Sequence, residues 1–347
     1  MRRLPIYFLV DVSESMVGTP VEQVQEGMRT IIQELRVDPY ALETVFVSII
    51  AFAGKAKVLS PLTELYKFYP PVFPIGGGTS LGEGLECLMN DIDRNIRRTT
   101  LEQKGDWKPI VFLFTDGNPT DDYDAAFRRW NGRYAGHCNL IAVSIGDNVN
   151  ILTLAQITKH ILFLKHTDAE SFRKFFKWVT ASIKTTSMSV SEQNSDEIKL
   201  APTTGINLEK VDPQECAGAQ DENFAVLHGR CQTTGSDYLI KYARRSHPVG
   251  YNEMLNTTDF KLVGAYPIDR ESYASLSAGS KNRINTRELI GVPACPCCGN
   301  QLGIVLCECG NIFCVGESTH NKCPWCGMQG TLGQCDADGM NLTRGVG

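Results

Sequence analysis

The first residues able to do chemistry are an aspartate and two serines at the end of a short apolar run. Asp11, Ser13 and Ser15 alternate along the chain directly after the run from Ile6 to Val10. In an extended backbone, side chains two positions apart point the same way, so these three groups can converge. A carboxylate and two hydroxyls suit a hard cation that prefers oxygen ligands, with Mg²⁺ as the first candidate. Taken alone, however, this pattern is more often an ordinary turn or a helix cap than a cation site.

Two distant segments add oxygen ligands of the same kind. Thr79 follows the glycines at 76–78, which let the backbone approach a ligand closely. Asp116 comes after the apolar run 110–114, just as Asp11 comes after the first run. The sequence therefore predicts one cation site built by five residues: Asp11, Ser13, Ser15, Thr79 and Asp116.

These residues resemble the metal-ion-dependent adhesion site (MIDAS) of von Willebrand factor A domains. That family uses an Asp-x-Ser-x-Ser motif, a Gly-Thr loop and a Thr-Asp-Gly turn, and all five positions match it. The resemblance implies that Ser13 and Ser15 contact the metal directly, and that Thr79 and both aspartates bind directly or through water. It also implies Mg²⁺, with Mn²⁺ or Ca²⁺ as alternatives, and an open coordination position for a carboxylate of a partner protein.

The elements that must position these residues alternate between strands and helices. Five apolar runs without strict alternation predict strands covered by helices on both faces, at 6–10, 45–52, 110–114, 140–145 and 161–164. Apolar spacing and turn signals predict helices near 19–35, 81–96, 121–131, 150–158 and 169–184. This order predicts a doubly wound α/β domain with a mostly parallel sheet over residues 1–187, whose ligands bind outside the carboxyl ends of the strands.

The cysteines predict a second kind of metal site. Nine of the 13 cysteines fall between residues 295 and 335, and the chain shows no export signal, so metal binding is favoured over disulfides. The segments 295–299 and 323–327 are two copies of a Cys-Pro-x-Cys-Gly knuckle. Two such turns provide four thiolates for one tetrahedral Zn²⁺, and the predicted ligands are Cys295, Cys298, Cys323 and Cys326.

A predicted hairpin between the two knuckles carries further candidate ligands. A second Zn²⁺ could be bound there by Cys307, Cys309, Cys314 and His320. Alternatively, the three cysteines are buried thiols that pack like small apolar residues. A closed four-thiolate site has no vacant position for water, so its expected role is to hold a small module together.

Three regions follow the predicted α/β domain. Residues 188–197 are polar and predict a linker, and residues 198–290 predict a small β-rich region without an assigned role. Strands are expected in it at 224–231, 238–242 and 260–266. Residues 291–347 form the predicted cysteine-rich, zinc-ribbon-like module and tail.

The composition limits the classes of function. With 347 residues and 42% hydrophobic residues, the chain is long enough for two or three domains and is not broadly disordered. A net charge of −5 spread along the chain provides no basic surface for nucleic acid and no polybasic membrane anchor. Because Asp11 interrupts the apolar run after Arg2 and Arg3, we expect neither a signal peptide nor a membrane span, and hence a cytoplasmic protein.

An amino-terminal A domain followed by a Cys-Pro-x-Cys-Gly module resembles the TerY-like family of bacterial tellurium-resistance and stress-response proteins. The resemblance implies a non-catalytic adaptor that binds other proteins. The implied partners are other Ter-system components, a protein kinase and a PP2C-type phosphatase.

Two other functions stay open. A nucleic-acid-docking zinc ribbon is disfavoured because Lys322 is the only Lys or Arg between Cys295 and Cys326, and the basic run at 241–245 is expected to be a solvated strand end. A Mg²⁺-dependent phosphatase-like enzyme would need a second carboxylate two residues after its nucleophile, and that position holds a serine.

Overall fold

The computed structural model describes most of the chain and divides it into two compact units. The described residues are 2–116, 119–145, 151–164, 169–192, 201, 208–210, 224–249, 252–277, 283–316, 320–331 and 339–344. The first unit comprises Met1–Val12, Gly18–Phe73 and Thr79–Asp221. The second unit comprises Ser13–Val17, Pro74–Gly78 and Glu222–Gly347. Among the described residues, no helix combines the length and apolar character that crossing a bilayer requires.

A mostly parallel sheet forms the centre of the first unit. Its seven strands are β1 (Leu4–Asp11), β2 (Val45–Phe52), β3 (Ala56–Glu64), β4 (Ile110–Thr115), β5 (Asn139–Ile145), β6 (His160–Leu164) and β7 (Leu208–Lys210). They lie in the order β3-β2-β1-β4-β5-β6-β7. The five inner strands run parallel, and the two edge strands β3 and β7 pair antiparallel with their neighbours. The predicted doubly wound, mostly parallel sheet is confirmed.

Helices cover both faces of this sheet. They are α1 (Thr19–Arg36), α2 (Pro39–Thr44), α3 (Leu81–Asn95), α4 (Asp124–Arg129, continued by a π-helical turn at Trp130–Tyr134), α5 (Ile151–Ala155) and α6 (Ala169–Glu192). Alternate residues of β1 point to opposite faces, so Tyr7 and Leu9 join one core cluster with residues of α3 and α4. On the other face, Phe8 stacks on Phe114, whose ring meets Phe175 of α6 edge-on at 5.9 Å. Burial on both faces explains why β1 and β4 lack polar alternation.

The second unit is rich in β-structure. Its strands are β8 (Phe224–Arg230), β9 (Asp237–Val249), β10 (Asn252–Ile268), β11 (Arg283–Asn285), β12 (Leu289–Ile290), β13 (Leu302–Leu306), β14 (Ile312–Val315), β15 (Asn321–Lys322), β16 (Gln329–Gly330) and β17 (Asn341–Thr343). Six of them form one sheet in the order β12-β10-β9-β8-β14-β13, and the others form two short pairs, β11-β17 and β15-β16. Helix α7 (Arg270–Leu276) follows β10. The predicted hairpin of β8 and β9 is confirmed.

The structure corrects the predicted region boundaries. Helix α6 continues to Glu192, so the predicted linker 188–197 begins inside a helix, and residues 193–197 lie outside the described part. Strand β7, from the start of the predicted region 198–290, belongs to the sheet of the first unit. Residues 198–290 and 291–347 are not separate modules either, because β14 pairs with β8 through Ile312. All four residues of β14 are buried, so this strand needs neighbours on both sides.

Candidate metal sites

Two carboxylates follow neighbouring strands of the first unit. Strands β1 and β4 run parallel and pair through Val10 and Phe114, so Asp11 and Asp116 both come at carboxyl ends of the sheet. The carboxylate of Asp11 is buried and accepts a hydrogen bond from the hydroxyl of Thr115 at 2.7 Å. Asp116 is half-buried. This is the edge of a doubly wound sheet at which ligands bind.

Thr79 reaches the same edge of the first unit from the glycine-rich loop. The next residue, Ser80, donates its amide hydrogen to the carbonyl of Ala53, directly after β2, at 2.6 Å. The Thr79 amide donates to the hydroxyl of Thr120 at 2.9 Å, and the Thr79 carbonyl accepts from the Thr120 amide at 2.8 Å. These bonds fix the main chain of Thr79 near residues that follow β2 and β4.

The hydroxyl of Thr79 is buried and polar. The residue is 1% exposed, and its Oγ1 atom has no hydrogen-bond partner within the part of the chain that the structure describes. A buried hydroxyl without a partner costs about 1–3 kcal/mol. A cation held by the hydroxyl and carboxylate oxygens at this edge would account for the arrangement, because these are the donors that hard divalent ions prefer.

The two serines of the Asp-x-Ser-x-Ser motif lie in the second unit. Ser13 and Ser15 are both buried, and their hydroxyl oxygens are 2.9 Å apart across a short 3-10 turn at Glu14–Met16. The predicted convergence of these two side chains is therefore observed. The other three predicted ligands, Asp11, Thr79 and Asp116, all belong to the first unit.

Two side chains elsewhere in the second unit hold the loop that carries these serines. The ammonium group of Lys241 donates to the carbonyl of Ser15, and the hydroxyl of Tyr273 donates to the carboxylate of Glu14. Lys241 is 4% exposed and lies 4.3 Å from the centroid of the Phe224 ring. The expectation of a solvated basic run is wrong for Lys241, because β9 is an inner strand. Sequence reasoning found neither of the two supporting residues.

Eight cysteines of the second unit form two groups. The first cysteine cluster is Cys231, Cys295, Cys298 and Cys314, and the second cysteine cluster is Cys307, Cys309, Cys323 and Cys326. Within each cluster all sulfurs lie within 4.8 Å of one another, and individual sulfur–sulfur distances are 3.6 to 3.9 Å. Four thiolates at about 2.3 Å from a tetrahedral Zn²⁺ lie about 3.8 Å apart. Each cluster therefore has the dimensions of a closed zinc site.

The predicted pairing of the knuckles is wrong. Cys295 and Cys298 do not share a site with Cys323 and Cys326, because each knuckle belongs to a different cluster. Cys314 completes the first cluster, whereas the second takes in the two cysteines at the β13–β14 turn: Cys307 and Cys309. His320 is exposed and belongs to neither cluster.

Cys231 is the ligand that the sequence interpretation missed. It follows β8, and the parallel pairing of β8 with β14 brings it beside Cys314. A local signal was available, because Gly235 follows Cys231 at the spacing that separates Cys295 from Gly299 in the first knuckle. In both turns the glycine has positive φ and donates its amide hydrogen to the cysteine carbonyl at 2.9 Å. This turn conformation favours glycine because it has no Cβ.

The thiols of the first cysteine cluster differ in acidity. Burial raises the pKa of Cys295 to about 12. Burial also opposes ionisation of Cys231, but hydrogen bonds from Thr234 outweigh it and lower the pKa of Cys231 to about 6. Cysteines bind metal as thiolates, so metal entering this cluster would displace protons from its more basic members.

Comparison with known families identifies two domains in the chain. Residues 6–178 match the von Willebrand factor type A domain, and residues 221–347 match the TerY-C metal binding domain. The chain contains a von Willebrand factor type A domain and a TerY-C metal-binding domain. The TerY-C match spans β8 to β17 and contains all eight clustered cysteines.

Other similar proteins share only part of the chain. Inter-alpha-trypsin inhibitor heavy chain H1 of Bos taurus is 27% identical over 119 residues, which are 33% of this chain and 13% of that protein. Proximal thread matrix protein 1 from the mussel byssus is 16% identical with a TM-score of 0.39, covering 52% of this chain and 48% of that one. The pilus adhesin SpaC of Lactobacillus rhamnosus GG is 14% identical with a TM-score of 0.42, covering 53% and 31%. This chain spans less than half the length of each of these relatives.

Proposed function

We propose that this protein binds a partner protein in a metal-dependent manner. One divalent cation, with Mg²⁺ as the first candidate, is held by Asp11, Ser13, Ser15, Thr79 and Asp116. The observation that carries the proposal is the buried hydroxyl of Thr79 at the carboxyl edge of the sheet, which has no hydrogen-bond partner among the described residues. A cation bound there supplies an electrophilic position that a carboxylate of a partner can occupy.

The proposal extends to the setting of the protein. The chain acts in the cytoplasm as an adaptor of a bacterial tellurite-resistance and stress-response system, and its partners are other Ter-system components, a protein kinase and a PP2C-type phosphatase. The match of residues 221–347 to the TerY-C metal binding domain supports this setting. Both cysteine clusters hold Zn²⁺ as a structural ion, since four thiolates leave no position for water.

A catalytic role for the same site is less well supported. Phosphatase chemistry with Asp11 as nucleophile requires a general acid two residues later, and Ser13 does not supply one near neutral pH. The Asp11 carboxylate also accepts a hydrogen bond from Thr115, which lowers its nucleophilicity. We therefore propose an adaptor and not an enzyme.

The test is capture of partners from a native bacterial lysate by the tagged full chain, with and without Mg²⁺. The lysate is desalted into buffer without magnesium and no chelator is added, because a chelator would also strip the cysteine clusters. The parent is compared with Asp116→Ala and with the control Asp124→Ala, which removes an exposed carboxylate at the start of α4. We expect a carboxylate-dependent partner to be retained in Mg²⁺ by the parent and the control only. Equal recovery with Asp116→Ala would contradict the proposal.

A further inference from the structure

We propose that the second cysteine cluster positions the Asp-x-Ser-x-Ser loop, so that metal bound by its four thiolates strengthens cation binding at the two serines. The connection lies within the second unit and runs through Trp325, His228 and Tyr273 to Glu14. This inference rests on the proposed cation site and adds a means of regulating it.

The first step is the position of Trp325 inside the second knuckle. It stands between Cys323 and Cys326, so a metal that closes this turn also fixes its backbone. The indole N–H of Trp325 donates to the carbonyl of Ile312 at 2.7 Å, which fixes the ring. The ring is therefore a rigid extension of the second cysteine cluster.

The second step is the contact of this ring with β8. His228 meets the indole edge-on with ring centroids 5.3 Å apart, and the guanidinium carbon of Arg230 lies 3.7 Å from the indole centroid. Residues two apart on a strand share a face, so the side chains of His228 and Arg230 can both contact the Trp325 ring. Both also bind Asp237, at 3.2 Å from His228 and 2.7 Å from Arg230. The side chain of Asp237, which is 2% exposed, thus provides a second contact that fixes His228.

The third step is the contact that links His228 to the Asp-x-Ser-x-Ser loop. The His228 ring lies 4.8 Å from the ring of Tyr273 on α7, and the Tyr273 hydroxyl donates to the Glu14 carboxylate. Glu14 is 2% exposed and stands between Ser13 and Ser15, so its position restricts where the two serine hydroxyls can lie.

The same helix also holds the glycine-rich loop. The hydroxyl of Ser277, directly after α7, accepts a hydrogen bond from the amide of Gly77 at 2.7 Å. A Cβ at Gly77 would lie 3.2 Å from Glu14, Tyr273 and Ser277, so the loop packs tightly among these groups. Movement of Tyr273 would therefore disturb Glu14 and Gly77 together.

The energetic argument is linkage. A loop already held in its binding conformation loses less entropy when it takes up a cation, so supports that hold it raise the affinity. If metal at the cysteines favours this conformation, cation binding must favour metal at the cysteines by the same factor. Residues that support metal ligands typically contribute 10- to 100-fold in affinity, so we expect a change of about tenfold.

The test measures Mn²⁺ binding by the full chain from the electron paramagnetic resonance signal of free Mn²⁺. Each protein is titrated before and after a mercurial thiol reagent, which does not bind Mn²⁺, releases the cysteine-bound metal. The released metal is removed by gel filtration before titration, because free Zn²⁺ would compete with Mn²⁺. The variants are Tyr273→Phe and Trp325→Leu, neither of which alters a proposed ligand. Tyr242→Phe is the matched control, because it removes a tyrosine hydroxyl that is bonded to Gly291 in the same unit. Zinc content and circular dichroism establish that each variant is folded.

We expect release of the cysteine-bound metal to weaken Mn²⁺ binding about tenfold in the parent and in Tyr242→Phe. Zinc-loaded Tyr273→Phe and Trp325→Leu should already bind Mn²⁺ about tenfold more weakly, with little further loss on release, because two changes to one connection are not additive. Parent-like affinity in both variants, or equal loss on release in all four proteins, would overturn the coupling and leave the cation site standing. A zinc-loaded parent that binds no Mn²⁺ would overturn the cation site and the coupling together.

Discussion

The sulfur of Cys231 lies 3.8 Å from the sulfur of Cys314, although 83 residues separate them in the chain. Cys231 follows β8 and Cys314 lies within β14, and these two strands are parallel neighbours. The first cysteine cluster therefore ties the β8–β9 hairpin to the cysteine-rich segment. This contact makes the second unit one body and not a β-region beside a separate cysteine-rich module.

The first prediction concerns metal content. The parent should bind two zinc ions, one in each four-cysteine cluster, and Cys231→Ser should bind one, because three thiolates and a serine hold zinc poorly. Metal analysis after gel filtration checks this. Cys87→Ser, which changes a cysteine outside both clusters, should keep two ions. A Cys231→Ser protein that retains two zinc ions would remove Cys231 from the ligand set.

The knuckles could be found from the sequence because each is a local turn, but their pairing could not. Which knuckle meets which cysteine depends on the register of β8, β14 and β13, and strand pairing is not encoded in any short segment. The Cys231 turn has the same cysteine-to-glycine spacing as the knuckles but lacks their proline and second cysteine. It therefore escaped a search based on those residues.

The second prediction concerns the buried hydroxyl of Thr79. Thr79→Ala should weaken Mn²⁺ binding about tenfold, equivalent to about 1.4 kcal/mol, because it removes an oxygen ligand. Thr79→Ser keeps the hydroxyl and should bind close to the parent value. Calorimetric titration with Mn²⁺ distinguishes the two variants. If alanine and serine have the same effect, the hydroxyl is not a ligand and only the shape of the side chain matters.

The third prediction concerns the buried carboxylate of Asp237. Burial raises its pKa, but hydrogen bonds from His228, Arg230 and Arg270 outweigh burial and hold the pKa well below the usual range. Asp237→Asn should lower the free energy of unfolding of the second unit by about 1–3 kcal/mol near neutral pH, because the buried carboxylate loses its charge while its partly exposed partners keep some contact with water. Urea unfolding, followed by the fluorescence of Trp325 against a Trp325→Phe reference, measures the loss.

The pH dependence of that loss follows from the lowered pKa. A carboxyl whose pKa is depressed by folding stabilises the protein above its unfolded pKa of about 3.9, and this contribution disappears as the pH falls towards the folded value. The difference in unfolding free energy between parent and Asp237→Asn should thus be present near neutral pH and shrink below about pH 4. A difference that grows on acidification would contradict the assigned ion pairs.

The inner strands of the first unit were predictable and its edges were not. Strands β1 and β4 are buried on both faces, so continuous apolar runs mark them. Strand β3 is mostly half-buried and contains Pro61, a residue that central strands exclude and edge strands tolerate. Strand β7 has three residues, too few for any periodicity. Burial on two faces leaves a signal in the sequence, whereas pairing along one edge leaves little.

The last prediction concerns the close packing of α1 against α6. A Cβ at Gly27 would lie 1.9 Å from ring atoms of Phe176, which is 1% exposed. That ring cannot readily move, because Phe175 and Phe114 pack against it with centroids at 5.2 and 6.0 Å. Gly27→Ala should therefore cost about 1–3 kcal/mol of stability through overpacking, despite the better helix propensity of alanine.

Urea unfolding of the first unit measures this cost, with Gly132→Ala as the control. A Cβ at Gly132 would meet no atom within 4 Å, so that change should leave stability unaltered or raise it slightly. Zinc content should be unchanged in both variants, because the eight clustered cysteines lie in the other unit. If Gly27→Ala unfolds at the same urea concentration as Gly132→Ala, the expected overpacking at Phe176 is absent. Helices α1 and α6 can then move apart to accommodate the added methyl group.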